Sequence, residues 1–90
     1  MGYDGKYGKV ATEHGDIPDD EPVIVFRAQD RLSVSVLRAY FELCRVAGSP
    51  QRHLSLVSGT IRRFTDWQEA HPGQLKVPDS ERSRAWLPEA

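Results

Sequence analysis

The stretch Arg31–His71, RLSVSVLRAYFELCRVAGSPQRHLSLVSGTIRRFTDWQEAH, decides the fold. Apolar residues recur at helical spacing on both sides of Gly48-Ser49-Pro50. Ahead of that break, Val36, Leu37, Tyr40, Phe41, Leu43, Cys44 and Ala47 take the three-and-four steps of a helix. Behind it, Leu54, Val57, Ile61, Phe64 and Gln68 do the same, and Trp67 widens the stripe. Asp30 is placed to cap the first helix, with Ser33 as a rival, and Gly48 to end it. Ser49 as cap and Pro50 as first helical residue restart the chain, and His71-Pro72-Gly73 stops it. These signals predict two helices folded back on each other. The first carries the broader apolar face, which predicts that it is the more buried. Gly59 weakens the second by about 1 kcal/mol against alanine; close packing on the first helix or simple tolerance would each account for it.

Ahead of this hairpin, Pro22–Arg27 reads as the best strand, with four β-formers in a row. Lys9–Glu13 is a plausible shorter partner, so an antiparallel pair with a long loop is expected. Two strands alone are marginal and should lay one face on the helices. Residues 1–8, with Gly2, Gly5 and Gly8 around Tyr3 and Tyr7, read as a flexible arm. Residues 74–90 read as a polar tail in which Trp86-Leu87 is the only large apolar pair. That pair either folds back over the hairpin or anchors a partner, a role in which tryptophan is enriched. The fold class is therefore α+β in one small domain, with an arm (1–8), a core (9–73) and a tail (74–90).

The composition excludes several functions. Ninety residues make one domain with a thin stability margin. The apolar fraction is 39%, the charged fraction 28% and the net charge −1, so bulk charge points to neither nucleic acid nor membrane. The longest apolar run, Val23–Phe26, is too short to span a bilayer, and the N-terminus lacks the apolar core of a signal peptide. Cys44 is the only cysteine, which fits a reducing compartment and a cytoplasmic location. His14, His53 and His71 are scattered, without the paired spacing of a zinc site. Cys44 sits mid-helix on the apolar face, the setting of a structural thiol rather than a nucleophile. Glu13, Asp16, Asp19, Asp20 and Glu21 crowd a loop, lacking both the enclosed pair of acid–base catalysis and the order of a calcium loop. No phosphate-binding glycine loop is present. The reading is a protein without catalytic, cofactor-binding or metal-ligating residues, not an enzyme.

Charge distribution carries more information. Residues 27–63 hold seven arginines against Asp30 and Glu42, a local excess of +5, while residues 13–21 hold five acids and no Lys or Arg. Arg31, Arg38 and Arg45 are spaced by seven, which sets them on one helix face. Either the acidic loop folds over that face, or the arginines meet a partner. The first function expected is a non-enzymatic protein–protein interaction through Arg31, Arg38, Arg45 and Trp86. The alternative is a nucleic-acid-binding regulator using Arg52, Arg62 and Arg63. The hairpin resembles a helix-turn-helix in the spacing of Cys44, Gly48, Leu54 and Val57, but Ser49 and Pro50 break that pattern. Self-association into a homo-oligomer is compatible with either function.

Tyr7-Gly8-Lys9-Val10-Ala11-Thr12-Glu13, Asp16-Ile17-Pro18, Asp20-Glu21-Pro22-Val23 and Arg27-Ala28-Gln29-Asp30 form a distinctive string. With Tyr40, Ala47-Gly48-Ser49-Pro50 and Asp66-Trp67-Gln68, it resembles small uncharacterised proteins of actinobacterial bacteriophages and prophages, over roughly residues 6–78. The resemblance implies a phage accessory protein acting on a host or phage protein in the host cytoplasm, or a minor virion component. It transfers no catalytic residue.

Overall fold

The computed structural model describes residues 2–13 and 15–78. It is an α+β fold: three short strands near the N-terminus, β1 (Gly2–Asp4), β2 (Gly8–Val10) and β3 (Pro22–Val23), precede α1 (Ser33–Ala47) and α2 (Gln51–Ala70). A single 3-10 turn, Pro72–Gln74, follows α2.

The helical hairpin forms as the sequence predicts, and its turn is built by backbone chemistry. Gly48 adopts φ 87°, the left-handed conformation that glycine tolerates best. Its N–H donates to the Arg45 carbonyl (3.2 Å), and the Ser49 N–H to the Cys44 carbonyl (2.9 Å). That pair of bonds is a Schellman closure, which satisfies carbonyls orphaned at the helix end. Two capping expectations are corrected. Ser49 makes no side-chain cap, because it stands one residue ahead of the cap position; α2 starts after Pro50 in extended conformation, and the Ser49 N–H closes α1 instead. Asp30 stands ahead of α1 rather than on it: its Oδ1 accepts from the Leu32 N–H (2.8 Å), and its carbonyl accepts from the Ser33 N–H and hydroxyl. Gln68 of α2 clamps this entry turn, donating to the Ala28 carbonyl (2.9 Å).

The α2 stripe faces α1 as expected, with Val57 buried and Leu54, Ile61, Phe64 and Gln68 half-buried. Among the described residues, the buried apolar side chains are Cys44 and Val57, each 7% exposed, one from each helix. The breadth of the α1 face does not translate into burial. Leu43 and Val46 are 67% and 71% exposed, and Val36 and Tyr40 are exposed as well. One neighbouring helix covers only part of a helix's circumference, and α2 is the only helix packed on α1 among the described residues.

The sheet differs from the expected hairpin. Residues 2–4, expected in the arm, form the central strand of the order β2-β1-β3. β1 pairs antiparallel with β2 (Tyr3 opposite Lys9) and parallel with β3 (Asp4 opposite Val23). Gly2 is buried, and a Cβ there would lie 2.5 Å from Val23 Cγ1 and 2.9 Å from Ile17 Cγ2, so the strand passes too close to them for any other residue. The predicted strand Pro22–Arg27 keeps its pairing only through Val23. Beyond it the Val25 N–H donates to the Asp4 carboxylate (2.5 Å) instead of to a ladder carbonyl. The same carboxylate accepts from the N–H of Lys6 (2.8 Å) and Tyr7 (2.7 Å), and so holds the β1–β2 turn. The segments that flank the helical hairpin, 29–31 and 75–76, pair with each other in a parallel bridge. The Arg31 N–H donates to the Lys76 carbonyl (2.8 Å), and the Lys76 N–H to the Gln29 carbonyl (3.0 Å).

Candidate functional site

Helical geometry, about 100° per residue, divides α1 into three arcs. The first holds Leu37, Phe41 and Cys44 and meets α2. The second holds Val36, Ala39, Leu43 and Val46, all exposed, and Leu32 extends it by a turn because its carbonyl accepts from the Val36 N–H. These five step by four, three, four and three, the spacing of a seam that meets another helix. Tyr40 marks its boundary: the hydroxyl lies 3.3 Å from His53 Nε2 and the rings meet edge-on, 6.0 Å between centroids. Leu56, three residues beyond His53 and 65% exposed, continues the apolar surface onto α2. The neighbouring Cys44 side chain holds the Tyr40 phenol above its ordinary pKa.

The third arc carries the predicted arginines, and the structure brings two of them together. Arg38 and Arg45 stand on the same side of α1, seven residues apart. Glu42 pairs with Arg45: Nε donates to both carboxylate oxygens at 3.1 Å, and the terminal nitrogen to Oε1. That hydrogen bond pulls Glu42 below the ordinary carboxylate range and raises Arg45 in return. Arg38 is exposed and makes no ion pair with a described residue. Arg31 lies in the turn before α1, and its guanidinium donates to the Leu75 carbonyl at 3.4 Å. None of the ion pairs between described residues joins the acidic segment 13–21 to these arginines. Trp86 lies outside the described residues.

The α2 arginines are less well gathered. Arg62 and Arg63 are consecutive and diverge around the helix; Arg62 approaches Asp66 at 3.8 Å, and Arg63 donates to the Thr60 hydroxyl. Arg52 is a further three turns away along α2. His71 stacks on Trp67, with centroids 4.1 Å apart, and its Nδ1–H donates to the Trp67 carbonyl. No group of three or more metal-ligating side chains gathers among the described residues, and no helix among them is long and apolar enough to cross a membrane.

A cleft of about 420 Å³ opens between the β1–β2 turn and the segment following β3. Val23, Val25, Phe26 and Tyr7 give it apolar walls, and Lys6, Arg27 and Lys76 line it as well. Asp4, also in its wall, is engaged by three backbone N–H groups, with that of Tyr7 the strongest in holding its carboxyl below the ordinary value. From sequence, Arg27 ends the strand Pro22–Arg27 and Asp30 caps the first helix. Arg27, Gln29 and Asp30 line this cleft, which forms from segments too distant in sequence for any local pattern to signal. No protein-family model matches the chain, and neither does any curated protein or solved structure.

Proposed function

We propose that the chain is a non-enzymatic phage accessory protein that acts by protein–protein interaction, holding an acidic surface of a host or phage protein against the basic arc of α1. One observation carries the proposal: Arg38 projects from a well-closed helix with no described carboxylate paired to it, beside an Arg45 fixed in place by Glu42. Arginine suits such contacts because its planar fork meets carboxylates in a bidentate geometry. Arg31, in the turn before α1, adds a positive charge beside the segment that follows α2, where its guanidinium donates to the Leu75 carbonyl. The resemblance over residues 6–78 supports the phage context, with the host cytoplasm as the place of action and a minor virion position as the second. Nucleic-acid binding is less well supported, because α2 spreads Arg52, Arg62 and Arg63 along and around its axis.

The test is affinity capture from an actinobacterial lysate by the full chain and by a triple variant, Arg31→Ala with Arg38→Ala and Arg45→Ala. Retention of a specific acidic protein by the first and its loss from the second is the expected result. Equal retention by both removes the basic arc from the interface. DNA retention at low salt that disappears in Arg62→Ala with Arg63→Ala would favour the nucleic-acid reading instead, since phosphate contacts weaken steeply with salt.

A further inference from the structure

We infer that the uncovered apolar arc of α1 is the seat of a second copy of this chain, the two α1 helices lying antiparallel about a two-fold axis at Ala39. Leu32, Val36, Tyr40, Leu43, Val46 and Leu56 expose about 500–600 Å² of largely apolar surface, at the upper end of what a monomer leaves uncovered. Joining two such patches buries at most about 1,000–1,200 Å², the size of a weak, transient interface. The order of side chains along the arc selects this occupant. Reversal about Ala39 sets Leu32 level with Val46 of the second copy and brings Val36 within about 1.5 Å of the level of its Leu43, larger against smaller in each pair. Ala39 meets its own mate, and the small side chain lets the helices approach closely at the crossing.

The charges agree with this register. An antiparallel two-fold brings like edges of the seam together. One edge carries Tyr40 and Ala47 and no charge; the other carries Ser35 and Glu42, with Arg38 a turn back. At about 1.5 Å rise per residue, Glu42 comes within about 3 Å of the level of Arg38 of the second copy, against about 9 Å for the second Glu42. Two ion pairs related by symmetry follow. Arg45 stays outside the seam, so the dimer carries two outward basic arcs. Arg38 is shared with the proposed contact to an acidic protein: the second copy's Glu42 takes it in the dimer, while Arg31 and Arg45 stay outside the seam, so a failed dimer leaves the proposed contact untouched.

Sedimentation equilibrium on the full chain tests it. The mass should climb from 10.2 kDa toward twice that value between about 1 and about 500 µM, the range suited to an interface of this size. Leu43→Lys and Val46→Glu should each weaken association about tenfold or more, as loss of a central seam contact does. Both positions are so exposed in the single chain that the far-UV circular dichroism should stay helical. Glu42→Arg should weaken association, and Glu42→Arg combined with Arg38→Glu should restore it. A wild type that stays at 10.2 kDa throughout overturns the inference, as does a folded Leu43→Lys or Val46→Glu variant that associates like the wild type. Absence of restoration in the charge swap overturns the antiparallel register. A monomeric wild type that still captures an acidic protein through Arg38 would leave the proposed function intact.

Discussion

Replacing Gly59 by alanine should stabilise the protein, and the structure sets the size of the gain. Gly59 lies in the middle of α2, and a Cβ built on it meets no heavy atom within 4 Å. Its φ is not among the positive values, so the backbone already suits an ordinary residue. Close packing on α1, one of the two explanations open from sequence, is therefore removed, and tolerance remains. Alanine should then gain the full difference in helix propensity, about 0.8–1.0 kcal/mol, part of which arises from the unfolded chain losing freedom. For a domain of this size that is a rise in Tm of about 4–8 °C. Urea denaturation followed by far-UV circular dichroism measures it, with the slope m unchanged if the compactness of both states is unaltered. The methyl would border the groove lined by Phe41, Leu54, Ser58 and Arg62, where there is room for it. A midpoint that falls, at constant m, would refute the reasoning, because it would mean that some part of the chain lies against the Gly59 backbone.

The same substitution at Gly48 should act in the opposite direction. Its φ of 87° costs a residue with a Cβ about 1–2 kcal/mol, so Gly48→Ala should lower the urea midpoint measurably, and a neutral result would mean that the hairpin turn is not closed in this way. Asp4 yields a pH prediction. Its folded pKa lies below the ordinary value of 3.8, so the carboxylate's contribution is complete above that value and is lost as pH falls through the lowered one. In two-dimensional NMR the amides of Lys6, Tyr7 and Val25 should titrate together with a midpoint below 3.8; three unrelated midpoints would dissolve the proposed clamp.

What the sequence made legible were the features that chemistry sets locally. Gly48 as the end of α1, the α2 stripe of Leu54, Val57, Ile61 and Phe64, and the stop after Ala70 all depend on neighbours within a few residues. Periodicity also exposed the breadth of the α1 apolar face. It could not reveal that α2 covers only the Leu37–Cys44 side, because amphipathicity records which residues avoid water and not what covers them. The expectation that α1 would be the more buried helix failed for that reason. β1 was illegible because three residues, Gly2-Tyr3-Asp4, carry no periodicity, and what fixes them is one carboxylate reaching Val25 across 21 positions. The basic arc was half legible. The seven-residue spacing set Arg38 beside Arg45, but it did not show that the helix begins at Ser33 and leaves Arg31 in a turn.

The account turns on whether the Leu43 side of α1 stands uncovered in the single chain and is covered when chains meet. Methyl NMR with a neutral, soluble paramagnetic probe tests this directly. In dilute solution the methyls of Leu43, Val46 and Leu56 should broaden strongly and those of Val57 weakly, following their exposure. As concentration rises, Leu43 and Val46 should become protected while Val57 stays unchanged. Protection of Leu43 and Val46 that is already complete at the lowest concentration would contradict the account, because the face would then be covered within a single chain.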